Sequence, residues 1–346
     1  MSGADRQGVD ANTRLTQLVF GIMAGHAVGA AVRLGLPDLL GDRTRSGAEL
    51  AAECGTDPAA LTRLLRALAA HDLLAEGPRG EFRLTEAGTL LRADVPGSVR
   101  ARVQMFTDPA MVRAWERLDT SVTTGEPAFD AEFGTDFFDH LKGLPELSAT
   151  FNAAMSSGTR AAAAALPGSF DFSPFDTLVD VGGGDGTLLC AVLAGNPGLN
   201  GVVFDSAEGA AEAPPRFRDA GVEGRATASA GDFFAAVPEG GDLYLLKSIL
   251  HDWNDDRAAA ILGNIRRVIP DHGRLLVVEP VLPDVVDGSA RPTLYLSDLN
   301  MLVNLGGMER TREDFAALLR RSGFALDSVT ATTPDTGFRL LVGVPS

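Results

Sequence analysis

Asp180-Val181-Gly182-Gly183-Gly184-Asp185-Gly186-Thr187 is the stretch whose reading decides the fold. It follows a short apolar run, Thr177–Val181, and opens a helix. Glycines at such a turn let the chain fold back tightly and let a ligand approach the backbone. The helix start offers free N–H groups to an anion. Downstream, short apolar runs recur at Gly201–Asp205, Ala226–Ala230, Asp242–Ile249 and Arg274–Glu279, with helix-like segments such as Asp256–Ile269 between them. That alternation predicts a parallel, doubly wound α/β sheet. The tail reads differently, as a hairpin of Leu326–Thr332 and Phe338–Val344 joined by Pro334-Asp335-Thr336-Gly337. No internal repeat or low-complexity tract occurs.

Upstream, the first hundred residues read as helical. Asn12 and Thr13 are placed to cap a helix running to about Leu36, apolar nearly all round through Leu18, Val19, Ile22, Met23, Ala27, Val28 and Ala31. Such a helix needs burial on every face, which points to a subunit interface. Ser46-Gly47-Ala48-Glu49 is a capping box. Asp57-Pro58 starts another helix, with Leu61, Leu64, Leu65 and Leu68 on one face. Leu73-Leu74-Ala75-Glu76, Gly77-Pro78-Arg79-Gly80 and Glu81-Phe82-Arg83-Leu84 form a hairpin, and Thr85 caps a further helix. Helix, helix, hairpin is winged-helix order. Positions 1–100 hold 11 basic and 12 acidic residues. The would-be recognition helix offers only Arg63 and Arg66, which argues for a structural use over DNA binding. Residues from about Val99 to Ala165 read as helices broken at Asp108-Pro109, Gly125-Glu126-Pro127 and Leu144-Pro145. The expected division is 1–98, 99–168 and 169–346.

Composition narrows the function. The chain has 346 residues, 45% of them hydrophobic and 22% charged, with a formal net charge of −16. A strongly acidic surface repels nucleic acid and anionic membranes. Two cysteines, Cys54 and Cys190, fit a reducing cytoplasm. No Cys/His cluster has zinc spacing, so no metal is expected. The apolar stretch Leu18–Val32 falls short of the roughly 20 residues of a spanning helix.

Two cofactor classes use a glycine turn of this kind. A dinucleotide fingerprint wants a small residue where Thr187 stands. The other pattern has an acidic strand end with alternate glycines, here Asp180, Gly182, Gly184 and Gly186, and resembles the first motif of S-adenosylmethionine methyltransferases. Asp205, at the end of the next strand, can accept both ribose hydroxyls, at near the expected ~20-residue distance. Asp232 can accept from an adenine amino group while Phe233 packs on the ring. Either aspartate can also be a plain helix cap. The fourth strand ends in Leu245-Leu246-Lys247-Ser248-Ile249-Leu250-His251-Asp252-Trp253, the fifth in Glu279, and Gly306-Gly307-Met308-Glu309-Arg310-Thr311 precedes a helix. One histidine and two glutamates can converge there.

These segments resemble the small-molecule S-adenosylmethionine-dependent O-methyltransferases, which join plant caffeate- and flavonoid-type enzymes to actinobacterial antibiotic-tailoring enzymes. The resemblance covers nearly the whole chain. It includes Leu61–Leu68, Phe151-Asn152-Ala153-Ala154-Met155, Asp298-Leu299-Asn300-Met301-Leu302 and Gly306–Thr311. It implies a Rossmann-like class I methyltransferase domain behind an N-terminal winged-helix-like dimerisation domain, and a homodimer whose partner subunit helps close the active site. It implies His251 as general base with Glu279 and Glu309 flanking it. It places Gly182, Gly184, Asp205, Asp232, Phe233 and Lys247 on S-adenosylmethionine. It places Phe151, Asn152, Met155, Met301 and Asn304 on an aromatic acceptor. Two departures stand out: Asp185 where His or Thr is commoner, and Ser206-Ala207-Glu208-Gly209 where the family usually has Leu-Pro. The competing readings are a repurposed member that hydroxylates, decarboxylates or cyclises, an NAD(P)-dependent reductase, and a winged-helix regulator.

Overall fold

The computed structural model describes residues 10–288, 290–332 and 338–346. The chain divides into two compact units, one of Met1–Val112 with Glu146–Ser157, the other of Arg113–Pro145 with Gly158–Ser346. The segment 99–168, expected to stand between two domains, is shared between these units.

In the first unit, helix Ala11–Arg33 is capped by the Asp10 carboxylate, which accepts from the N–H groups of Asn12 and Thr13. The expected caps are therefore the capped residues. The helix ends at Arg33, short of Leu36, because Gly35 takes φ 68° and starts a short helix, Leu36–Leu40. It buries Gly29, Ala31 and Val32 near its end, yet leaves Leu18 and Ile22 both 69% exposed. The burial on all faces that its composition calls for is not met within one chain. At 23 residues it is also long and apolar enough, by length and composition alone, to cross a membrane. That corrects the expectation drawn from Leu18–Val32.

The Ser46 capping box forms on helix Gly47–Cys54, and Asp57 caps helix Pro58–Ala70. Leu61, Leu65 and Leu68 are buried, with Leu64 at the edge of the same core. Strands β1 (Arg45–Ser46), β2 (Leu74–Gly77) and β3 (Glu81–Leu84) make an antiparallel sheet in the order β1-β3-β2. The wing is as expected.

The second unit is built on β4 (Thr177–Val181), β5 (Asn200–Asp205), β6 (Ala226–Ala230), β7 (Leu243–Lys247), β8 (Arg274–Leu282), β9 (Arg310–Thr311), β10 (Phe324–Ala331) and β11 (Phe338–Pro345). The sheet order is β10-β11-β8-β7-β4-β5-β6, with β9 beside the end of β8. Pairs from β6 to β8 are parallel; β8, β11 and β10 are antiparallel. The expected turn Pro334–Gly337 lies outside the described residues. β4 lies between β5 and β7, so chain direction through the order reverses there and a crevice opens at the carboxyl ends. Strand β7 stops at Lys247, before Ile249, because Ser248 takes φ 53°. Strand β8 runs past Glu279 to Leu282.

Alternation along the strands fills a core on each face. Leu178, Leu245 and Leu276 pack with Leu189 and Val203 on one side. Val179, Val181, Leu246 and Val277 pack with Ile261 and Phe315 on the other. Helix Asp255–Val268, capped by Asn254, buries Ala258, Ile261, Leu262 and Ile265. Phe129 is buried against Phe133 and Phe137, so part of the aromatic middle segment is core.

Candidate active site

The glycine loop stands at the end of β4. Gly182, Gly184 and Gly186 have φ of 74°, 53° and 76°, a region that favours glycine. A side chain on Gly182 would run into Ile249, while the space beside Gly184 is open. The Gly184 N–H donates to Asp205 Oδ2 at 2.8 Å and the Ser206 N–H to Asp205 Oδ1 at 2.7 Å. Asp205 thus ties the loop to β5. Asp180, the acidic strand end of the glycine-loop pattern, is buried. Its Oδ2 has no hydrogen-bond partner among the described residues. Burial first, then the nearby Asp205, pushes its carboxyl up to about 7. Burial likewise raises Asp205 and lowers Lys247, whose Nζ donates to Thr159 Oγ1 at 3.3 Å.

Asp232 is exposed and accepts from the Phe234 N–H at 2.8 Å, a capping role. Phe233 and Phe234 lie edge to face at 4.9 Å, as do Phe234 and Trp253. Asn264 Nδ2 donates to the carbonyls of Phe233 and Phe234 at 2.7 and 3.0 Å, holding this aromatic wall. The set fits S-adenosylmethionine: a buried carboxylate oxygen lacking a donor suits an ammonium group, and the glycine turn leaves room at the backbone.

His251 is presented by a single helical turn, Leu250–Asp252, after the Ser248 bend. Glu279 Oε1 accepts the N–H groups of Ile249 and Leu250 at 2.8 and 2.9 Å. Glu279 Oε2 lies 3.5 Å from His251 Nδ1, and both Glu309 oxygens face that nitrogen at 3.2 and 3.3 Å. Nε2 is left 3.5 Å from Asp252 Oδ1. Glu309 is held by Ser297, whose Oγ donates to Oε1 at 2.9 Å, and its own N–H donates to Asp298 Oδ1 at 2.8 Å. Burial disfavours a charged ring, but Glu279, Glu309 and Asp252 outweigh it and raise His251 to about 10. Burial raises Glu279, and raises Asp252 to about 7. In the neutral ring, two carboxylates on Nδ1 assign the one proton to that nitrogen and leave Nε2 as the acceptor.

The two flanking glutamates expected from sequence are therefore brought to His251. Sequence spacing showed no metal cluster. The fold nevertheless gathers one ligand-capable atom each from His251, Glu279 and Glu309 within 4.8 Å. Both carboxylates already accept protein donors, so the set reads as an orienting pair for the imidazole. Among the acceptor residues, Met301 and Asn304 are buried on helix Pro292–Leu305. Asn304 Nδ2 donates to Asn300 Oδ1 at 2.9 Å, and so does Trp115 Nε1 at 2.9 Å. Phe151, Asn152 and Met155 lie on helix Pro145–Ala165 in the stretch that groups with the first unit. Sequence reasoning placed Asp180 only in the glycine-loop pattern and missed Asp252, Ser297 and Arg310. Arg310 was legible only as the neighbour of Glu309, because nothing local says that an arginine is buried.

Known proteins resemble this chain over most of its length. An O-methyltransferase domain model matches residues 115–325, and an O-methyltransferase dimerisation domain matches residues 16–94. The chain is 51% identical to the O-demethylpuromycin-O-methyltransferase of Streptomyces alboniger, over 97% of this chain and 89% of that protein. It is 40% identical to a phenazine O-methyltransferase of Lysobacter antibioticus, over 96% of each. It also resembles the crystal structure of an O-methyltransferase from neocarzinostatin biosynthesis, in complex with S-adenosylmethionine and 2-hydroxy-5-methyl naphthoic acid. There the TM-score is 0.80 and the identity 32%, covering 93% of this chain and 96% of that one.

Proposed function

This chain belongs to the O-methyltransferase family and is an S-adenosylmethionine-dependent enzyme of aromatic secondary metabolism; we propose on that premise that His251 is its general base and a phenolic hydroxyl its acceptor. The observation that carries the base is the ring between two carboxylates on Nδ1, with Nε2, 3.5 Å from Asp252 Oδ1, as the nitrogen that takes the proton.

A phenol with a pKa near ~10 is mostly protonated at neutral pH. In the neutral form of the ring Nε2 takes the phenol's proton, a step typically worth about 10²–10⁴-fold. Glu279 and Glu309 stabilise the imidazolium that results. S-adenosylmethionine, when bound, supplies a methyl group whose bond to sulfur breaks as the bond to the phenolic oxygen forms. Gly182, Gly184 and Asp205 hold it, with Asp180, Lys247 and Phe233 around it. Asp232 serves the same side of the site from the end of β6. Met301 and Asn304, buried on helix Pro292–Leu305, receive the aromatic acceptor. Orientation of the two reactants contributes as much as proton transfer.

The match to a dimerisation domain supports a homodimer. The exposed apolar side chains of helix Ala11–Arg33 supply its surface, so that helix is read as an interface rather than a membrane span. Two free thiols suit a reducing cytoplasm.

The test is mass spectrometry of simple phenols and aromatic polyketides incubated with enzyme and S-adenosylmethionine. A gain of one CH₂ with formation of S-adenosylhomocysteine supports methyl transfer. Another mass change with the cofactor unconsumed indicates repurposed chemistry. In parallel, His251→Ala must lose turnover while keeping cofactor affinity; unchanged turnover removes the base assignment.

A further inference from the structure

Three consecutive residues hold three different parts of the His251 turn. The Met308 N–H donates to the His251 carbonyl at 2.9 Å. Glu309 faces the ring. Arg310 reaches past both with a guanidinium that is only 1% exposed. Its Nη1 donates to the Leu250 carbonyl at 2.9 Å and its Nη2 to the Trp253 carbonyl at 2.9 Å. Its Nε and Nη2 also bond Asp255 Oδ1 at 3.0 and 2.8 Å. The two carbonyls bracket His251 along the chain. From the other side Glu279 takes the amides of Ile249 and Leu250. Through its backbone, Arg310 pairs with Val281, two residues beyond Glu279 on β8. The turn is thus held by its amides and by its carbonyls, from two adjacent strands.

A buried guanidinium is a poor device for stability alone, since its desolvation often cancels what its partners return. It is a good device for geometry. A planar fork of donors fixes several acceptors at once, which an ammonium group cannot do. Here the acceptors are the backbone that carries His251 and a carboxylate at the start of helix Asp255–Val268.

We propose that Arg310, with Asp255 as its counter-charge, is a positioning residue for His251, fixing the turn so that the ring stays on Glu309 and Glu279 and its free nitrogen stays on the acceptor. This rests on His251 being the base. Neither residue touches the reacting atoms. A displacement of about 1 Å at such a group can cost about 100-fold in rate. A ring drawn away from its carboxylates also holds its proton less tightly.

The test compares Arg310→Lys, Asp255→Asn and His251→Gln in the full-length enzyme, by kcat, KM, cofactor calorimetry and the pH profile of kcat. Arg310→Lys is expected to lower kcat by about 100-fold. Cofactor affinity should stay near wild type, and the rising limb of the profile should move to lower pH. Asp255→Asn keeps the guanidinium and should show a smaller fall with the same shift. Because Asp255 is half exposed, that variant decides the matter if Arg310→Lys does not fold. A folded variant with unchanged kcat, or with lowered kcat and an unmoved limb, overturns the proposal. Turnover surviving in His251→Gln instead removes the base assignment. A dead His251→Gln beside an unaltered Arg310→Lys removes only this inference.

Discussion

Both carboxylate oxygens of Glu309 face one atom of His251, Nδ1, at 3.2 and 3.3 Å. A carboxylate placed this way accepts the ring N–H and stabilises the cation formed when Nε2 takes a proton. A carboxamide offers either an oxygen or a donor, and the donor form favours the wrong tautomer. Glu309→Gln should therefore lose turnover almost as completely as His251→Ala, within the roughly 10²–10⁴-fold range of general-base catalysis. Cofactor affinity by calorimetry should stay near wild type. Turnover within a few-fold of wild type would show that the ring does not depend on this carboxylate.

The same contacts set the pH dependence. The neutral ring is the working form, and its proton affinity in the free enzyme is raised from the ordinary 6.5 to about 10. Accordingly kcat/KM should keep rising above pH 7 and level only toward pH 10. Stability carries the opposite sign. The folded protein holds this proton more tightly than the unfolded chain does, so the contribution is complete below 6.5 and is lost as pH rises through about 10. The Tm should fall across that window, and less so in Glu309→Gln. A kcat/KM already flat at pH 7 would contradict the electrostatic account.

Asp205 accepts from the N–H groups of Gly184 and Ser206, so it organises the glycine loop besides its proposed hold on the cofactor ribose. Asp205→Ala should weaken S-adenosylmethionine binding at least about tenfold, the loss of one charged hydrogen bond or more. Calorimetry with a melting curve as a folding control measures it. Equal affinity would assign Asp205 to loop structure alone.

Gly182 has φ 74°, and Ile249 occupies the space a side chain would need. Gly182→Ala strains the backbone and pushes on the segment whose amides Glu279 holds. Both cofactor affinity and kcat should fall. A fall in affinity alone would mean that the push stops at the Ile249 side chain.

Leu18 and Ile22 are each 69% exposed one helical turn apart. A Leu18→Glu, Ile22→Glu double variant should convert a dimer of 36.2 kDa chains into monomers by light scattering. Each buried leucine-sized side chain is worth about 1.5–3 kcal/mol, and charge at its place costs more. A dimer that survives both changes would move the interface elsewhere on the chain.

Much of this protein was legible along the chain because it is set locally. The Ser46 capping box, the Asp57-Pro58 start, the wing hairpin and the alternation of strand and helix from Thr177 onward depend on neighbours a few residues apart. The glycine turn after β4 is local too, because positive φ is a property of the residue. Sequence therefore determined the fold class, the edge of the sheet that carries the site, and His251 at that edge. Tertiary structure decided what His251 can do. Glu309 lies 58 residues away and Glu279 28 away, and only the pairing of β7, β8 and β9 brings them to one ring nitrogen. It also decided that Asp180 keeps a buried oxygen without a hydrogen-bond partner among the described residues and that Arg310 is enclosed around two carbonyls. Burial and proton affinity depend on everything that surrounds a group, and no spacing along a chain records that.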